Sequence, residues 1–307
     1  MSLTPTPFTG QIIDPLKPGS DEWLTTISAS KVPAILGLSP YDSAYSLWCR
    51  MTHRITDDRT SKAATRGTYL EPAIIQWWKD QHPEMRVKAG VSYAHHWRTK
   101  WAAAPDGVVF PGRKRTPVGI LEVKTAFRAD EWGGEGTAEI PPAYLAQVAW
   151  QMLVTGAQVC WVAALVNMEL RSYVVRFADV EEQIEAIKTH VVRFERHLET
   201  DTAPDWDGST ATYEAVRAQH PDIDPEKGLV ASDRLAYELA SLKAVKAETE
   251  TALKKAQSEA LGLMGDAKTL TSVDGTTVAV RQARGEGKPF LKITATPHDL
   301  ETHETAA

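Results

Sequence analysis

Two neighbouring segments, Ala104-Pro105-Asp106-Gly107 and Val118-Gly119-Ile120-Leu121-Glu122-Val123-Lys124, leave this chain few ways to fold. Residues 118–123 are apolar apart from Gly119 and one carboxylate, and Lys124 follows directly. Successive strand side chains point to opposite faces, so Glu122 and Lys124 share a face, roughly 6.5 Å apart along the strand. A carboxylate and an ammonium on an apolar strand are costly to bury unless they are paired or bound to metal. The Pro-Asp-Gly turn lies one hairpin earlier and brings Asp106 back beside Glu122. An Asp followed by Glu-x-Lys on the neighbouring strand can hold a divalent cation against a phosphate.

The flanking residues read as a sheet with helices around it. Val87–His96 and Trp101–Ala104 are predicted strands, Val108–Phe110 runs into a turn at 111–115, and Val118–Lys124 returns from it. Residues 125–140 hold Gly133, Gly134 and Gly136 and are expected to form a flexible loop that Pro141-Pro142 ends. Ala143–Thr155 is predicted to be a helix closed by Gly156. Gln147 and Gln151 are i and i+4 on it, hence on one face. Two readings of that face stand: a solvated stripe, or amides that bind a water, a lysine or a phosphate beside the site. Val159–Asn167 and Arg171–Phe177 form a strand pair, and Val180–Leu198 an amphipathic helix.

Upstream, residues 1–18 read as an extended arm, and Ser20 caps a helix start at Asp21-Glu22-Trp23. Ser30 is placed as the cap of a short helix ended by Gly37, either as a plain N-cap or with its free N–H groups set for a phosphate. Ala44–Met51 is a helix. Thr52–Arg66 is polar and carries Arg54, Arg59, Lys62 and Arg66, as expected of a mobile loop and a basic lip for the site. Glu71 then falls at the start of a helix over Ala73–Lys79, where the helix dipole favours a carboxylate.

The domain plan is an arm (1–18), an α/β domain (19–208), a polar linker (209–231), a C-terminal extension (232–296) and a disordered tail (297–307). In the extension, Ser232-Asp233 caps a long helix to Met264. Leu235, Leu239, Leu242, Leu253 and Leu263 lie on or near a heptad seam that Lys246 and Thr249 interrupt. That helix is either a coiled-coil arm or packed on the core. A hairpin with an Asp274-Gly275 turn and a strand at 290–294 follow.

Composition narrows the function classes. A net charge of −6 argues against a protein that coats nucleic acid through bulk charge, although a local basic lining suffices for a nuclease. Two cysteines, Cys49 and Cys160, fall short of a disulfide framework, a four-cysteine zinc site or an iron–sulfur cluster. The apolar run Val159–Val166 is too short to span a bilayer. Met1–Gly10 has no basic stretch ahead of an apolar core, so a cytosolic location is expected.

Gly67-x-x-x-Glu71, Pro105-Asp106-Gly107, Leu121-Glu122-Val123-Lys124 and Tyr144-Leu145-Ala146-Gln147-Val148, in that order, resemble the YqaJ-type viral recombinase family. That family is similar to phage lambda exonuclease and lies within the PD-(D/E)xK nuclease superfamily. Gly19-Ser20-x-Glu22-Trp23, Ile27-Ser28-Ala29-Ser30, Gly37 and Ser39-Pro40-Tyr41 also fit, and the resemblance covers about residues 19–206. It implies a restriction-endonuclease-like α/β core, a central mixed sheet flanked by helices, here with a long C-terminal helix and a small hairpin. It also implies a DNA exonuclease that digests one strand of linear duplex from 5′ to 3′, leaving a 3′ overhang for a single-strand annealing protein in phage recombination. By the same resemblance, Asp106, Glu122 and the Val123 carbonyl would ligate Mg²⁺ or Mn²⁺, with Glu71 serving a second ion. Lys124 would orient or deprotonate the attacking water, and Gln147 would hold that lysine and the phosphate. Ser28, Ser30, Arg66 and Gln151 are the expected contacts to DNA or its 5′-phosphate. Double-stranded DNA ends and further copies of the chain in a ring trimer are the implied partners.

The family arginine that grips the 5′-phosphate is missing: Trp23 is followed by Leu24-Thr25-Thr26-Ile27. Lys31, Arg54 and Arg66 are the cations placed to substitute. Rival readings are another endonuclease or nickase of the same fold, and a DNA-binding scaffold that has lost catalysis.

Overall fold

The computed structural model describes residues 7–16, 19–56 and 62–301, so the expectations for the outer arm, for Arg59 in the basic lip and for residues 302–307 lie outside the described residues. The chain divides into two compact units, one ending at Ile223 and one beginning at Asp224.

The first unit starts with β1 (Gln11–Ile13), then α1 (Asp21–Thr25), where the Ser20 hydroxyl accepts from the Trp23 amide, and β2 (Ile27–Ser28). A 3₁₀ turn at Ala29–Lys31 leads into α2 (Val32–Ile35), and a Ser43/Ser46 capping box opens α3 (Ala44–Met51). After α4 (Lys62–Gln81) come β3 (Met85–Lys88), β4 (Ser92–Ala94), β5 (Trp101–Ala103), β6 (Gly107–Pro111) and β7 (Gly119–Ala126). The unit closes with α5 (Pro142–Thr155), β8 (Val159–Val166), β9 (Glu169–Arg176), α6 (Glu181–Glu199) and α7 (Thr210–Gln219).

Its main sheet has the order β3-β6-β7-β8-β9, antiparallel throughout except for β7 and β8, which run parallel. On one face Ile74 and Trp78 of α4 cluster with Leu121 and Trp161. On the other, Val148 and Met152 of α5 and Ile184, Ile187 and Val191 of α6 join Ile120 and Val162. Both faces are covered, so β7 and β8 carry near-continuous apolar runs. This is the mixed sheet flanked by helices that the sequence implied. Gly119 permits a close contact, since a Cβ there would lie 2.4 Å from the Val159 carbonyl oxygen.

Several boundaries differ from expectation. The single strand predicted over Val87–His96 is two, because Gly90 turns the backbone at φ +72°, a conformation that costs glycine little. β3 joins the main sheet, whereas β4 and β5 belong to a second sheet of order β1-β4-β5-β2. Glu71 lies inside α4 rather than in a first turn, and Lys62–Arg66 are helical rather than loop. Pro72 within that helix costs on the order of 3 kcal/mol. Burial of Ile74, about 1.5–3 kcal/mol, together with that of the larger Trp78, offsets it. Ser30 caps nothing, being the middle residue of the 3₁₀ turn. The loop at 125–140 is tethered: Gly136 N–H donates to the Ser172 carbonyl, Val174 N–H to the Thr137 carbonyl, and buried Trp132 meets Tyr173 at 5.0 Å. The linker placed at 209–231 contains α7, whose Thr212 hydroxyl donates to Ser43 Oγ at 2.7 Å and whose Ala215 is buried. Its Ser209 cap and two buried small residues suffice to dock a short polar helix.

In the second unit α8 (Asp233–Met264) is capped by Ser232, and β10 (Thr269–Thr271), β11 (Thr277–Gln282) and β12 (Phe290–Ile293) form an antiparallel sheet. Pro297–Glu301, expected in a disordered tail, form a helical turn, α9. Among the described residues no helix is long and apolar enough to cross a membrane.

Candidate active site

The strand register assembles the site. Gly107 pairs with Leu121 between β6 and β7, which brings Asp106, one residue earlier, alongside Glu122. Asp106 Oδ2 accepts the Val123 amide at 2.6 Å, so its carboxylate is tied to β7. Trp150 on α5 donates through its indole to the Ala102 carbonyl at 3.1 Å, locking that helix to the strand leading to Asp106.

Glu122 and Lys124 do share a face, the one toward α5. Lys124 Nζ donates to Glu122 Oε1 at 2.5 Å and to Gln147 Oε1 at 3.0 Å. Gln147 Nε2 donates to the same Glu122 oxygen at 2.6 Å, and Gln151 Nε2 to Glu122 Oε2 at 2.8 Å. Glu122 is only 3% exposed, and its two oxygens together receive three donors. The Tyr144 ring stands 5.1 Å from the Lys124 ammonium.

The charges are unbalanced. Burial, and then the charge of Glu122, pushes the Asp106 carboxyl well above its ordinary range. Glu71 is raised for the same two reasons, with Lys124 opposing, which places it in the field of the cluster. Burial alone would lower Lys124, but the charges of Glu122 and Asp106 outweigh it and hold the ammonium raised. The depressed lysine suited to sharing a proton is therefore absent from the cluster as it stands.

Among the described residues no three acidic, histidine or cysteine side chains are gathered closely enough to hold a metal ion as they lie. Glu122 is turned instead to the ammonium and amide donors. The donor set nonetheless fits a hard divalent cation in its chemistry: carboxylate oxygens from Glu71, Asp106 and Glu122, with one lysine to balance them. An acid raised by its neighbour's charge is one that a bound cation relieves.

The residues expected at the DNA end divide into two groups. Ser28, which ends β2 beside Ala102 of β5, and Ser30 of the 3₁₀ turn have their hydroxyls 3.2 Å apart. The Arg66 guanidinium lies 4.2 Å from the Phe127 ring, just past the end of β7. Gln151 does not belong with them: it is 1% exposed and bonded to Glu122, so it positions the carboxylate and cannot reach a phosphate. Its neighbours Val148, Trp150 and Met152 make the helix apolar on nearly all sides, the signal for a buried amide. Lys31 is also no phosphate ligand, because it is buried and its ammonium donates to the carbonyls of Trp23, Leu24 and Thr26. Arg54 is paired with Asp201 at 2.9 Å. Arg66 is thus the remaining candidate among the three cations.

Residues 22–158 match the family model of the YqaJ-like viral recombinase domain. Among solved structures the chain is similar to an alkaline exonuclease (LHK-Exo) from Laribacter hongkongensis, at 23% identity over 60% of this chain and 94% of that one, with a TM-score of 0.45. The same exonuclease in complex with dAMP aligns at 23% identity over 59% and 92%, with a TM-score of 0.46. No curated protein sequence matches the chain.

Proposed function

Taking residues 22–158 as a domain of the YqaJ-like viral recombinase family, we propose that this protein is a metal-dependent DNA exonuclease. It digests one strand of linear duplex from 5′ to 3′ and leaves a 3′ overhang for a single-strand annealing protein. The observation that carries the reading is the Lys124 ammonium held between Glu122 and Gln147 with Asp106 alongside.

Asp106, Glu122, the Val123 carbonyl and Glu71 are the groups to hold Mg²⁺ or Mn²⁺, in one or two ions. When bound, such ions supply Lewis-acid stabilisation of the oxygens of a phosphoryl displacement. Lys124 orients the attacking water, and Gln147 fixes the lysine through its amide oxygen. Gln151 fixes the rotamer of Glu122 from below. Ser28, Ser30 and Arg66 receive the strand end, with Arg66 standing in for the missing family arginine. The protein works as a homo-oligomer, a ring trimer by family resemblance, in the cytoplasm of a bacterial host.

The test is digestion of linear duplex labelled on each strand, with 5′-phosphate, 5′-hydroxyl or blocked ends, with and without Mg²⁺. Mg²⁺-dependent loss of the 5′-ended strand is expected. Asp106→Ala should cut nucleotide release by several orders of magnitude while DNA binding survives. Undiminished digestion by that variant overturns the assignment.

A further inference from the structure

The nuclease site leaves α8 unused. Leu235, Leu239, Leu242 and Leu253 on it are 43%, 62%, 61% and 47% exposed, and among the described residues of this helix Met264 alone is buried. Little of the apolar surface of this 32-residue helix is covered, and in proteins most helical stability comes from packing of an apolar face.

The seam positions are 235, 239, 242, 246, 249, 253 and 256, alternating steps of four and three as in a coiled coil. The six positions from Leu239 to Ala256 are symmetric about a point between Ala247 and Glu248. Counting outward, Lys246 is matched by Thr249, Leu242 by Leu253, and Leu239 by Ala256. A second copy running antiparallel therefore sets leucine on leucine, leucine on alanine and lysine on threonine, each twice. The flanks agree: Lys243 meets Glu250 of the second copy, and Val245 meets its Ala252. Parallel pairing would set Lys246 on Lys246 in one layer, whereas the antiparallel pair offsets the two lysines by about 4.5 Å along the axis, and a charged seam residue selects register and partner. At the outer ends the antiparallel pair brings Glu238 near Glu259, a repulsion between exposed groups that salt screens.

We propose that α8 pairs antiparallel with α8 of a second copy of this chain, with Lys246 against Thr249 at the centre and a seam of about 26 Å from Leu239 to Ala256. This interface is independent of the nuclease reading, and because three helices cannot pair two by two, it joins copies that belong to different rings.

Cysteine pairing in the full chain tests it, since the native Cys49 and Cys160 are both buried. The Leu242→Cys/Leu253→Cys double variant should form a disulfide-linked dimer under mild oxidation, seen on a non-reducing gel. Neither single variant should do so. Like positions on the two copies would lie about 16 Å apart along the axis, beyond the ~7 Å Cα limit of a disulfide. Efficient cross-linking of Leu242→Cys alone would mean a parallel pair and overturn the proposal, as would no cross-link in any variant. Leu242→Glu, with its helix content checked by circular dichroism, should lower the sedimenting mass of the full chain. An unchanged mass in that variant counts against the pairing.

Discussion

Lys31 and Lys124 are the same side chain folded into opposite settings. Lys31 sits under α1, where its ammonium meets three backbone carbonyls and lies 4.1 Å from the Trp23 ring. Lys124 sits between β7 and α5, where it meets a carboxylate and an amide with a second carboxylate close by. The first lysine satisfies the open end of a five-residue helix. Its ammonium donates to backbone carbonyls, and it acts as a staple. The second belongs to a group whose negative charge exceeds its positive charge, a state that pure stability would not select. Burial of a lysine alone does not mark chemistry. Its partners do.

That contrast can be broken in three places. Lys124→Met should reduce nucleotide release by roughly 10²–10³-fold, the usual cost of removing one positioned donor, with duplex binding by fluorescence anisotropy retained. Activity within a few-fold of wild type would place Lys124 beside Lys31 as a staple. Lys31→Met should strip the carbonyls of Trp23, Leu24 and Thr26 of their donor and cost about 3 kcal/mol in urea unfolding. The protein that remains folded should digest DNA at the wild-type rate. Loss of activity without loss of stability would give Lys31 a role that the structure does not.

The smallest effect is linked to pH. Asp106 is raised in the folded protein, by burial and then by Glu122, so the native state binds its proton more tightly than the unfolded chain. Stability should therefore fall as pH rises from the ordinary carboxylate range, about 4, through the raised value. Asp106→Asn removes that loss, so its advantage in Tm should grow with pH across this window and be smallest at the acid end. Mg²⁺ should raise the Tm of the wild type and leave that of Asp106→Asn unchanged. An equal rise in both would place the cation elsewhere.

The parts of the site that the sequence made legible are those fixed by strand period. Two-residue alternation put Glu122 and Lys124 on one face, and a hairpin returned Asp106 beside them. What it hid depended on tertiary contact. The start of α4 has no apolar face of its own, and Pro72 and Gly67 read as punctuation, so its 20-residue length emerges only from the packing of Ile74 and Trp78. Gln147 and Gln151 were visible as a pair, but i and i+4 spacing does not say whether the face is wet. α7 escaped notice because it docks through a threonine, an alanine and the Gln219 amide, which donates to the Tyr45 hydroxyl at 2.8 Å. Lys31 gave no local sign that carbonyls eight, seven and five residues earlier would gather around it.

The two strands that meet at Asp106 belong to different sheets: β5 ends in the four-stranded one and β6 begins in the five-stranded one. Ala104, Pro105 and Asp106 are the whole joint between them. Glu122 rides on the larger sheet, and the Val123 amide of that same sheet holds Asp106, so the spacing of the two acids is set on one side of the joint. The smaller sheet can shift about Ala104 and Pro105 without moving one acid away from the other.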